Sequence, residues 1–197
     1  FMLQDRRALN QLFLGMHLMY LKMEFLNVSV VEQNYLKNLI RGFLGMSQKV
    51  LISDLDNTLW GGVIGDDGPN NIKIGNDTPE GRIFLDIQIY ILNLIRRGVY
   101  VSIASKNEEN LALEGFMRDC SILKVDDFAS LEINWNNKSK SIRSICNQLN
   151  VGLDSVFFID DNPSEREEVA SSCPEVVVPN VSDDPFTFLQ ALKFYDP

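Results

Sequence analysis

The stretch KVLISDLDNTLWGG, Lys49 to Gly62, decides how the whole chain is read. A short apolar run, Val50-Leu51-Ile52, drives straight into two aspartates one residue apart, Asp54 and Asp56. Burying a carboxylate is costly unless it is paired or bound to a metal. The pair therefore needs a partner that the rest of the sequence must supply.

Working outward from that stretch, apolar strands alternate with helical periodicity. Lys49–Ser53, Val99–Ala104 and Ser155–Ile159 read as buried strands, with shorter ones at Phe128–Ile133 and Glu175–Val178. Between Val63-Ile64 and Ile72-Lys73-Ile74 the turn signal Gly65-Asp66-Asp67-Gly68 predicts a small hairpin over Gly61–Gly75. Thr78-Pro79 opens a helix that ends at Gly98. Ser105 or Asn107 is expected to cap the next helix. Further helices are expected over Lys138–Leu149, over Pro163–Ser171, and from Asp184-Pro185 to about Phe194. Repeated strand–helix units predict a Rossmann-like α/β fold, a parallel sheet with helices on both faces. In such sheets functional groups gather at the carboxyl ends of the strands.

Residues 1–48 read as a separate N-terminal helical extension ahead of an α/β domain over 49–197. The signals are a capping box at Ser29-Val30-Val31-Glu32, helical spacing of Tyr35, Leu36, Leu39, Ile40, Phe43 and Leu44, and a stop at Gly45. A chain that starts at Phe1 is expected to be a fragment of a longer protein.

Composition excludes several function classes. The 197 residues carry a formal net charge of -9, which argues against a general nucleic-acid binder, since phosphate neutralisation needs a basic surface. The densest apolar run, Leu12 to Leu26, is interrupted by Lys22 and Glu24, so no membrane span is expected. Three cysteines, Cys120, Cys146 and Cys173, contain no CxxC pair and fit a reducing, cytoplasmic setting. The single histidine, His17, lies in an apolar stretch far from the motif and is read as a packing residue.

The polar residues just after each strand form one constellation. Asp54, Asp56 and Thr58 follow the first strand, and Ser105, Lys106 and Asn107 follow the second. Asp160, Asp161 and Asn162 follow the Ile159 strand, and Lys138 stands at a helix start between the last two sets. Singly, each has an ordinary reading: a strand cap, a helix cap, a solvated lysine, a turn. Their order and shared placement make them a set suited to phosphoryl transfer. Clustered aspartates are hard oxygen ligands for Mg2+. One carboxylate can attack phosphorus, and a second can protonate the leaving oxygen.

At these residues the chain resembles the haloacid dehalogenase superfamily, over roughly Lys49 to Pro179. The resemblance implies Asp54 as nucleophile and Mg2+ ligand, and Asp56 as acid/base that also binds metal through its backbone carbonyl. It implies that Thr58, Ser105, the Lys106 amide and Asn107 contact the phosphoryl group. Lys138 would steady nucleophile and phosphate, and Asp160 and Asp161 would complete the metal site. A narrower resemblance, to the FkbH-like branch, is carried by DLDNTLWGGVIGDDG, SKNEENLAL, DDFASLEINWNNKSKSI and LNVGLDSVFFIDDNPSEREEV. It implies dephosphorylation of 1,3-bisphosphoglycerate, a phosphorylated small molecule, with glyceryl transfer to an acyl carrier protein. A stand-alone phosphatase for a small phosphate ester or phosphoprotein is the alternative. A signalling receiver domain has its acidic pair early, the reverse of the order here. The spacing between motifs leaves room for no cap domain, only the 61–75 flap with Trp60 at its base.

Overall fold

The computed structural model describes residues 48–182 and 184–195. The readings made for the N-terminal segment, including its helices, the Leu12–Leu26 run and His17, lie outside the described residues.

Four parallel strands form one sheet in the order β3-β2-β1-β4. They are β1 (Val50–Ser53), β2 (Tyr100–Ser105), β3 (Ser130–Ile133) and β4 (Val156–Ile159). Alternation along each strand feeds two separate cores, because successive side chains point to opposite faces. Leu51, Val101, Ile103, Phe157 and Ile159 face one core. Val50, Ile52, Ala104, Val156 and Phe158 face the other. Strands apolar on both faces are what a sheet covered by helices on both sides requires.

The first face is covered by α2 (Pro79–Arg96; α1 is described below) through Phe84, Ile87, Ile91 and Leu94, together with the C-terminal helix Pro185–Tyr195 through Phe188, Leu189 and Leu192. Thr78 caps α2 as expected, its hydroxyl accepting from the Gly81 amide at 3.0 Å. The helix α3 spans Glu109–Phe116. The second face is covered by α4 (Lys138–Leu149) and α5 (Pro163–Ser172), through Ile142, Ile145 and Val169. The C-terminal helix is α6.

Three expectations change in detail. The Gly61–Gly75 segment is not a two-stranded hairpin. It holds one helical turn, α1 (Ile64–Asp67), closed by a single antiparallel Gly61/Lys73 bridge. Its apolar residues Ile64, Ile72 and Ile74 are buried in the core rather than paired as strands. The Glu175–Val178 strand reduces to one bridge between Val177 and Phe157. Pro174 and Pro179 flank it, and proline offers no N–H to a ladder. Finally, β3 begins at Ser130, because Val125–Asp127 forms a 3-10 turn and Phe128 packs on Phe116 with ring centroids 5.0 Å apart.

Between β1 and β2 there is room only for the flap and α2, so no cap domain stands over the sheet edge among the described residues. No described helix is long and apolar enough to cross a membrane.

Candidate active site

Strand order fixes where a site can form. From β1 the chain moves to β2 and β3 on one side, then crosses to β4 on the other. In such sheets ligand sites form at the reversal, outside the carboxyl ends of the strands, here those of β1 and β4. Ser53 pairs with Ile159, and the Asp54 amide donates to the Ile159 carbonyl at 3.0 Å. The next residues on the two strands, Asp54 and Asp160, are thereby set side by side.

Lys138, the first residue of α4, reaches between them. Its Nζ lies 2.6 Å from Asp54 Oδ1 and 2.9 Å from Asp160 Oδ2, and donates to the Ala104 carbonyl at 2.7 Å. Lys138 and Asp160 are buried at 3% and 0% exposure, and Asp54 retains 8%. Asp160 Oδ2 meets the ammonium as an ion pair but lies outside hydrogen-bond alignment, and among the described residues it has no hydrogen-bond partner. Burial alone would lower the Lys138 pKa. The charges of Asp54 and Asp160 outweigh it, and the net shift is upward, so the ammonium stays charged.

Carboxylate oxygens of Asp54, Asp160 and Asp161 lie within 4.8 Å of one another. Burial, then the charge of Asp54, pushes Asp160 up to about 7 and Asp161 up to about 6. Fully ionised, the three acids against one ammonium leave two negative charges uncompensated. That deficit equals the charge of one divalent cation, and the donors are all hard oxygens. The residues therefore fit Mg2+.

Asp56 stands apart from this cluster. Its Oδ1 accepts from the Trp60 indole N–H at 2.8 Å and from the Ile64 amide at 3.1 Å. Its Oδ2 accepts from Asn107 Nδ2 at 2.9 Å. Asn57 makes the intervening turn in the left-handed region (φ 51°), which asparagine tolerates, and its Oδ1 accepts from the Gly62 amide.

The other expected residues are distributed as follows. Ser105 is buried, its Oγ 3.2 Å from Asn107 Nδ2. Neither Ser105 nor Asn107 caps α3. Glu108 occupies that position without a side-chain hydrogen bond, and the Asn107 amide is turned onto Asp56 instead. The Lys106 ammonium is paired with Glu165 at 2.7 Å. Thr58 is fully buried, and its Oγ1 has no hydrogen-bond partner among the described residues.

Sequence reasoning missed several supports. Arg166 donates to the carbonyls of Asp160 and Asp161 at 2.8 and 2.7 Å and to Val181 at 2.9 Å, which fixes the loop carrying both acids. Glu168 accepts from the Ser139 amide and hydroxyl, anchoring the start of α4 where Lys138 sits. A carboxylate at a helix N-terminus is favoured by the helix dipole. Neither residue carries a local signal, since both act across elements remote in sequence. Trp135, three positions before Lys138, is 75% exposed at the carboxyl end of β3.

Comparison with known proteins gives a strong likeness. The N-terminal part of the protein BF1531 from Bacteroides fragilis, containing a phosphatase domain and complexed with Mg, is 43% identical with a TM-score of 0.76. The match covers 80% of this chain and 42% of that one, so this chain spans less than half of that relative's length. A haloacid dehalogenase family enzyme from Bacteroides thetaiotaomicron, complexed with magnesium and inorganic phosphate, is 13% identical with a TM-score of 0.44. It covers 68% of this chain and 93% of its own, a similarity too low to carry weight. No family model and no curated protein matches. The β3-β2-β1-β4 order, the acids at its reversal and the likeness to the Bacteroides fragilis domain make this a Rossmann-like α/β fold similar to that of a Mg-binding phosphatase domain.

Proposed function

We propose that the chain is a Mg2+-dependent phosphoryl-transfer enzyme that uses Asp54 as its nucleophile. The observation that carries this reading is the Lys138 ammonium gripping Asp54 and Asp160 while two acidic charges stay uncompensated. The Mg2+ in the 43% identical Bacteroides fragilis domain supports it.

Asp54, Asp160 and Asp161 would hold the cation. When bound, it neutralises phosphoryl oxygens that three carboxylates would otherwise repel. Lys138 fixes the rotation of the Asp54 carboxylate by holding Oδ1. An Asp54 oxygen attacks phosphorus, the bond from phosphorus to the leaving oxygen breaks, and that oxygen takes a proton from Asp56. In the second step water attacks the aspartyl phosphate and gives its proton to Asp56, releasing phosphate and restoring Asp54. Ser105 and the Lys106 amide, at the end of β2, are assigned to the phosphoryl group. In this assignment Asp56 touches the metal only through its backbone carbonyl.

The finer reading is FkbH-like: dephosphorylation of 1,3-bisphosphoglycerate with glyceryl transfer to an acyl carrier protein. It rests on the four sequence stretches quoted above and on a sheet edge that, among the described residues, is covered only by the small flap, which leaves space for a protein-borne acceptor. Two of the three thiols are poor relays: Cys146 and Cys173 are buried, with burial raising both, whereas Cys120 is part-buried. In this reading the carrier's own thiol is the acceptor.

Phosphate release from p-nitrophenyl phosphate and from 1,3-bisphosphoglycerate, with Mg2+ or EDTA, tests both levels. Release should stop in EDTA and fall by at least about a thousandfold in Asp54→Asn. Full activity in either case overturns the aspartyl mechanism. A glyceryl mass gain on a carrier protein supports the transferase. Phosphate release without it leaves the plain phosphatase.

A further inference from the structure

Asp56 sits in a clamp with three donors. Trp60 and Ile64 supply N–H groups to one oxygen, and Asn107 supplies its amide to the other. Each donor comes from a different piece of structure: the turn after β1, the first residue of α1 in the flap, and the loop after β2. A carboxylate held on both oxygens loses its free rotation about χ2, whereas one held by a single bond keeps much of it.

Packing keeps the clamp rigid. Trp60 has no exposed surface and stands edge-on to Phe116, ring centroids 5.2 Å apart. Gly115 of α3 lies so close that an added Cβ would come within 3.0 Å of the indole ring and of Ile64 Cδ1. The indole is thus wedged against α3 with its only polar atom donating to Asp56. Asn107 is 6% exposed, and the same amide nitrogen also contacts Ser105 Oγ.

We propose that Trp60 and Asn107 are positioning residues that lock the orientation of the Asp56 carboxylate outside the three-acid cluster, and that the Ile64 bond ties the flap to the same group. This rests on the reading of Asp56 as the acid that protonates the leaving group. Trp60 is then more than an apolar anchor of the flap, and Asn107 acts on Asp56 before it acts on phosphate. A misplacement of a reacting group by about 1 Å can cost on the order of a hundredfold in rate.

Two measurements test the clamp, one of them without metal. The chain has two tryptophans, so its indole N–H signals in a 1H–15N spectrum are two. In metal-free protein Asp56→Ala should shift the Trp60 signal and speed its exchange with solvent, leaving that of Trp135 in place. An unmoved Trp60 signal overturns the bond. The second measurement compares kcat/KM for an alkyl phosphate, whose leaving group needs a proton, with that for p-nitrophenyl phosphate, whose leaving group does not. Trp60→Phe and Asn107→Ala should each lower the alkyl-to-aryl ratio by about tenfold or more. A purely structural role would lower both substrates alike and leave the ratio unchanged, which overturns the proposal. Asp56→Asn separates the two levels. If it collapses the ratio while the clamp variants do not, the acid assignment stands and the clamp falls. If it leaves the ratio intact, the acid assignment itself fails. Should Trp60→Phe fold poorly, Asn107→Ala, which disturbs no aromatic packing, gives the same readout.

Discussion

Lys138 Nζ and Asp54 Oδ1 are 2.6 Å apart although 84 positions separate the residues in the chain. This contact joins the start of α4 to the end of β1, and the ion pair with Asp160 makes the ammonium the electrostatic keystone of the sheet edge. Removing one partner of a buried pair leaves the other uncompensated, which typically costs about 3–5 kcal/mol. Lys138→Met should therefore destabilise the metal-free protein by about 3 kcal/mol at neutral pH, the low end, because Asp160 can relieve the strain by taking up a proton. Urea denaturation measures it. A loss below about 1 kcal/mol would show the pair to be far better solvated than its burial implies.

Stability should also depend on pH in a direction opposite to that of ordinary ion-paired aspartates. Asp160 and Asp161 sit at about 7 and about 6, above the value of about 3.9 for an unfolded aspartate. Between these limits the folded protein binds more protons than the unfolded chain, so stability from these groups falls as pH rises. It is fully present below about pH 4 and is lost by about pH 7. In EDTA, the melting temperature of the wild type should drop between pH 5 and 7.5 more than that of Asp160→Asn. Mg2+ should stabilise more at pH 7.5 than at 5, since it competes with protons for the same oxygens. Parallel pH curves for the wild type and the variant would remove the three-acid account.

A third test concerns Gln88, a fully buried amide in the middle of α2. Its Oε1 accepts from the Ile122 and Leu123 amides at 2.9 and 3.1 Å, and its Nε2 donates to the Leu59 carbonyl at 3.1 Å. One side chain thus secures both the 121–123 loop and the turn after the Asp54–Asp56 segment. Gln88→Met keeps the volume but strands two backbone N–H groups and one carbonyl, at about 1–3 kcal/mol for a stranded group. A loss of about 2–4 kcal/mol in chemical denaturation is expected. A near-neutral result would mean that water takes the amide's place.

How far the fold was legible follows from where each signal is stored. Val50-Leu51-Ile52 and Val156–Ile159 declare themselves as strands because both of their faces are apolar, and direction then follows from the strand–helix alternation. Strand polarity alone brings Asp54 and Asp160 to one edge, so the acid cluster could be read without coordinates. Thr78-Pro79 and Asn162-Pro163 mark their helices through purely local chemistry. For the flap the hairpin expectation fails because Gly65-Asp66-Asp67-Gly68 is compatible with a hairpin turn or a helical turn. The choice is made by burial of Ile64 and by the Asp67 carboxylate accepting from the Val63 amide. Asn107 carried a misleading local signal, since an asparagine before a helix usually caps it, whereas here a tertiary partner, Asp56, claims the amide. Arg166, Glu168 and Gln88 carried none, because each acts on a backbone group that only folding brings near.

The pairing of Val50 with Val156 that opens the β1–β4 ladder has a consequence for synthesis. During translation β1, β2 and β3 can leave the ribosome and associate while Asp160 and Asp161 are still unmade, and Asp54 then has only Lys138 for company. Cation capture by the three acids must wait until β4 has emerged. A stalled nascent chain ending before residue 156 should ignore Mg2+ altogether, whereas one with β4 and α5 clear of the exit tunnel should gain order from it.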